Sequence, residues 1–112
     1  MNLYEELRKL IEQLKICVKT LKSNGIDLAK KERIYKEQLR EEITILKEEG
    51  TPTTLIDKLV YGDSNVAAKR EERDIAEVTY KANLEAIGSI KMQMKAIEAL
   101  INKDLENKNE EN

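Results

Sequence analysis

Hydrophobic positions recur through most of the chain at spacings of three and four. Leu3, Leu7, Leu10, Leu14, Cys17 and Leu21 are separated by 4, 3, 4, 3 and 4 residues, a mean period of 3.5 that marks one seam of a packed helix. Ile11 and Val18 lie beside the seam and widen the apolar face, whereas Ile16 does not. Asn24-Gly25 is a turn dipeptide, and a break there would yield a three-helix bundle. The heptad continues across it to Leu28 and Tyr35, which favours an unbroken helix, because a turn has no reason to keep the register. The stripe then passes through Leu39, Ile43 and Leu46 to a stop at Gly50. The first helix is expected at about 2–49, roughly 70 Å long.

Thr51 is expected to cap a short helix over 52–61, with Pro52 at its first position. Leu55, Ile56, Leu59 and Val60 form its apolar face, and Gly62 ends it. Asp63 or Ser64 is expected to cap a last helix over about 64–105. Its main stripe reads Tyr80, Leu84, Ile87, Ile90 or Lys91, Met94, Ile97 and Ile101. A second stripe holds Ile75, Val78, Ala82, Ala86, Ser89 and Ala96, whose small residues would admit another helix closely. Residues 106–112 are polar and expected to fray. Two long helices of nearly equal length and a short corner predict an all-α, coiled-coil-like antiparallel hairpin. It forms a single domain over 1–105. One seam buries little surface, so the wide apolar faces predict self-association into a homodimeric or larger bundle.

Composition narrows the chemistry. Of 112 residues, 38% are charged, with a formal net charge of −2; there is no His, no Trp and a single Cys. Histidine-based acid–base catalysis, Cys–His pairs and zinc sites of the usual ligand sets are therefore excluded. A single Cys forms no internal disulfide; Cys17 reads as a small core residue. No apolar run is long enough to span a membrane, and the first ten residues lack the apolar run of a signal peptide. The expectation is a cytoplasmic, soluble, helical protein. Glu and Asp sit at helical spacing from Lys and Arg, the pattern of a solvated face, and no phosphate loop occurs. No cofactor and no catalytic residue are expected.

Two surfaces remain as candidates. Residues 8–36 carry nine basic side chains against Glu12, Asp27 and Glu32. Lys15, Lys19, Lys22, Lys30, Lys31 and Arg33 are its nucleic-acid candidates, able to attract phosphates without reading bases. The four tyrosines offer little for base stacking. The corner is the least repetitive part of the chain. Its Leu55, Ile56, Leu59 and Val60, with Arg70 and Arg73 at the adjoining seam end, are the protein-contact candidates.

Residues 25–101 resemble small helical proteins encoded by phages and prophages of Gram-positive bacteria. The likeness lies in Ala29 with Glu32 and Tyr35, the Glu49-Gly50 stop and the corner from Pro52 to Ile56. It continues through Leu59 to Asp63, Val66-Ala67, Glu72-Arg73-Asp74, Ala76-Glu77 and Tyr80-Lys81-Ala82. The first 24 residues are only generically heptad-like. Secreted helical hairpins of similar length turn at a Trp-x-Gly motif that this chain lacks. The resemblance implies a phage-derived protein acting inside the bacterial cell, and it brings no residue-specific activity. The expected function is a non-enzymatic protein–protein interaction module that binds a host or phage protein. The alternative is a nucleic-acid accessory protein of phage replication or recombination.

Overall fold

The computed structural model describes residues 2–111. It is all-α, with α1 at Leu3–Glu48, α2 at Thr53–Tyr61 and α3 at Ser64–Glu111. Helix α1 is unbroken through Asn24-Gly25. Gly25 lies against the ring of Tyr80, and a Cβ there would meet ring carbons at 3.5 and 3.9 Å. Packing on the seam overrides the local turn preference of the dipeptide.

The helix ends follow local chemistry. The Asn2 side chain accepts a hydrogen bond from the Glu5 N–H at the start of α1 (3.2 Å). At its C-terminus the Thr51 N–H donates to the Leu46 carbonyl and the Gly50 N–H to that of Lys47. Gly50 has φ of +78°, so the pair forms a Schellman motif. That turn leaves only Thr51 and Pro52 before α2. The cap of α2 is Pro52, at φ −58° and ψ 136°, without a side-chain bond. This corrects the expected Thr51 cap: Thr51 closes the previous helix, and the extended ψ of Pro52 keeps it outside the next one. Asp63 caps α3 as expected, its Oδ2 accepting from the N–H groups of Asn65 and Val66, both at 3.0 Å.

Helix α3 runs six residues beyond the expected end at 105. Residues 106–110 are helical with exposed side chains. Glu and Lys are good helix formers, and neither Gly nor Pro interrupts them. Asn112, the last residue of the expected frayed tail, lies outside the described residues.

The chain divides into two packing units, Ser23–Tyr80 and the remainder. Within Ser23–Tyr80, Tyr35, Val60 and Val66 form the buried centre, and Leu39, Ile43 and Leu46 pack against it. Ile56 and Ala76 are also buried. In the other unit Leu10, Ile87 and Ile90 are buried, and the first part of α1 runs antiparallel to the last part of α3. One narrow cleft there is lined by Leu3 and Tyr4 together with Ile101 and Leu105. Asn83 donates from Nδ2 to the Cys17 carbonyl at 2.8 Å.

That bond corrects the inner stripe of α3. Its least exposed line is Val66, Lys69, Arg73, Ala76, Tyr80, Asn83, Ile87, Ile90, Met94, Ile97 and Ile101. These positions alternate by three and four throughout. Asn83 holds the place expected for Leu84, which is exposed. Hydrophobicity alone prefers the leucine, but the strict 3.5 period runs through the asparagine. Val18, expected to widen the apolar face, is about half exposed.

Candidate protein-interaction site

The corner helix has two sides. Ile56 and Val60, four residues apart, are 4% and 1% exposed and pack onto the long helices. Leu55 and Leu59 are 45% and 51% exposed, and Tyr61 is 48% exposed. The structure thus splits the expected apolar contact set. Ile56 and Val60 hold α2 in place and are not open to a partner; Leu55 and Leu59 are. One face of nine residues can bury only the residues one turn apart on that face. The sequence pattern, a pair of adjacent apolar doublets, does not distinguish the inner pair from the outer.

The two arginines also differ from a free contact surface. Arg70 donates from Nη1 to the Tyr61 carbonyl at 3.3 Å, tying α3 to the last residue of α2. Arg73 donates from Nη1 to Glu32 Oε2 at 3.1 Å and from Nε to Asp74 Oδ1 at 2.8 Å. Its guanidinium carbon stands 4.7 Å from the centre of the Tyr35 ring. Arg73 is therefore a cross-brace between α1 and α3, occupied on both edges and one face. The hydrogen bond from Arg73 holds the Glu32 carboxyl below its ordinary range, and the same bond raises Arg73. Glu42 moves the other way, raised by partial burial and then by the charges of Asp63, Glu49 and Glu41.

The basic residues are dispersed. Lys15 pairs with Glu12 at 3.2 Å, Arg33 with Glu37 at 2.9 Å and Lys36 with Glu32 at 3.4 Å. Lys31 is half-buried and shares a cleft with Asp27 and Glu72. Lys19, Lys22 and Lys30 are exposed. Lys15, Lys19 and Lys22 belong to one packing unit, and Lys30, Lys31 and Arg33 to the other. The acidic neighbours offset part of the positive excess counted along the chain.

Sequence reasoning missed Tyr61, which extends the exposed edge of α2 beyond Leu59. Its place one residue before Gly62 was the available signal. Among the described residues, no group of three or more His, Cys, Asp or Glu side chains is placed to hold a metal ion. Among them, too, no helix is long and apolar enough to cross a membrane. No protein-family model, curated protein or solved structure matches this chain.

Proposed function

We propose that this protein is a non-enzymatic interaction module that captures another protein on the outer edge of its corner helix. The observation that carries the reading is the division of α2. Ile56 and Val60 are buried against the long helices, while Leu55, Leu59 and Tyr61 stay at the surface. Apolar side chains held out by a helix that is itself fixed from below resemble the anchors of helix-mediated recognition. On the resemblance to phage and prophage proteins, the partner is a host or phage protein; the wide apolar faces of the long helices support self-association as a homodimer.

The test is affinity capture from nuclease-treated bacterial lysate with and without co-expressed phage proteins. Leu55→Asp with Leu59→Asp should lose a stoichiometric protein that the native chain retains, at unchanged helicity by circular dichroism. Retention of that protein by the double variant overturns the corner as the contact. Nucleic-acid binding is the competing reading. It predicts retention that vanishes with nuclease and with Lys15→Glu, Lys19→Glu and Lys22→Glu.

A further inference from the structure

We infer that one side of α1, carrying Arg8, Lys15, Lys19 and Lys22, binds double-stranded nucleic acid along its phosphate backbone without reading its sequence. At the pitch of an α-helix these four side chains fall within about 60° around the axis, over about 21 Å of its length. All four are exposed, and all lie in the packing unit that holds the start of α1 and the end of α3. They stand on the side of α1 away from the buried Leu10. Among residues 8–22 the only acid is Glu12. It pairs with Lys15 at 3.2 Å, the two side chains being 68% and 63% exposed, and so exposed an ion pair is readily exchanged for a phosphate. Among the described residues Arg8, Lys19 and Lys22 make no ion pair. On the stretch of α3 opposite, residues 81–92, the only acid is Glu85. Asn83 turns inward to the Cys17 carbonyl, so Glu85, two residues on, is turned about 200° away, to the far side of α3.

Charge complementarity names the occupant. A duplex carries one negative charge per about 1.7 Å of axis, so a straight row of cations about 21 Å long meets phosphates along its whole length. Lysine and arginine on phosphates fix position and supply affinity but carry no sequence information. A single strand would need aromatic platforms for its bases, and Tyr4 is the one aromatic residue of this packing unit. An anionic bilayer would need a free apolar side on α1, and the side that holds Leu10 is closed by α3. The corner helix belongs to the other packing unit, so the stripe adds a second binding surface and leaves the corner reading in place.

Fluorescence anisotropy of a labelled DNA duplex, about two turns long, titrated with the full chain reads the stripe directly. The logarithm of Kd against that of salt concentration should rise with a slope of about 3.6, four contacts at about 0.9 each, so that a fourfold rise in salt weakens binding about 150-fold. Two duplexes of unrelated sequence should bind alike. Lys15→Gln with Lys19→Gln and Lys22→Gln should weaken binding by about tenfold or more and bring the slope to about 1, since each lost phosphate contact removes about one unit. Helicity should not change, because the three side chains are exposed. Lys58→Gln, an exposed cation of the other unit, should leave affinity and slope as they are, and so should Leu55→Asp with Leu59→Asp. The lysine variant should still retain the protein that the corner captures from nuclease-treated lysate. A chain that binds the duplex with this slope yet captures no protein would sink the corner reading alone. Absence of duplex binding at low salt overturns the inference. So does a slope near zero, an equal loss in Lys58→Gln, or tighter binding of single-stranded DNA or poly-glutamate than of the duplex.

Discussion

Asn83 on α3 reaches across to the backbone of α1 and donates from Nδ2 to the carbonyl oxygen of Cys17, 2.8 Å away. A polar residue on a mostly apolar stretch of seam costs stability but fixes which turn lies opposite which. The Cys17 carbonyl lies inside α1, so the Asn83 bond is an addition to the helix ladder.

Asn83→Ala should therefore lower stability by about 1 kcal/mol, the ordinary net worth of one hydrogen bond. Asn83→Leu should recover that loss or exceed it through apolar burial, while loosening the register. Urea denaturation reads the first effect. Amide exchange along residues 10–21, faster in the Leu variant than in the native chain despite its higher midpoint, reads the second.

The glycines should respond in opposite directions. A Cβ on Gly25 meets the Tyr80 ring only at ordinary contact distance, so Gly25→Ala should stabilise by about 0.5–1 kcal/mol through helix propensity. Gly50→Ala should destabilise by about 1–2 kcal/mol, because its φ of +78° is left-handed. Thermal melts of both variants would check the pair. A destabilised Gly25→Ala would mean that the Tyr80 ring packs more tightly on α1 than these distances show.

Two carboxylates should give opposite pH dependence. Arg73 lowers the Glu32 pKa, so the folded state favours the ionised form. That stabilisation is present above the ordinary glutamate range and is lost as pH falls through the folded-state value. Glu42 is raised by partial burial and by Asp63. Its ionised form is disfavoured in the folded state, so its penalty is present above its raised value and relieved by acid. Glu42→Gln should raise the melting temperature at pH 7 and lose that advantage in acid, whereas Arg73→Ala should flatten the acid loss contributed by Glu32. Melting curves from pH 3 to 7 on the three proteins would separate the two.

On the corner, the inner and outer pairs should separate cleanly. Leu55→Asp with Leu59→Asp leaves the fold intact, because both side chains already meet solvent. Val60→Ala removes methyl groups from a site 1% exposed and should cost about 1–3 kcal/mol. Equal losses of helicity from the two changes would contradict the division of α2 into a buried and an open side.

The sequence by itself determined the three helices and their stops at Gly50 and Gly62, narrowed the last cap to Asp63 or Ser64, and favoured continuity of the heptad through Gly25. Those features follow from spacing, backbone chemistry and caps, which act over a few residues. Tertiary structure decided which residue turns inward where the spacing allowed two. Leu84 and Asn83 both satisfy helical spacing, and only the register opposite Cys17 selects Asn83. Leu55 and Ile56 are adjacent and equally apolar, and only the direction in which α2 docks on Tyr35 and Val66 buries one and exposes the other. Arg73 is one basic residue in a charged run until α1 brings Glu32 and Tyr35 to it. The division of the chain at Lys22 and Tyr80 is likewise a property of contacts between distant residues, which no local pattern encodes.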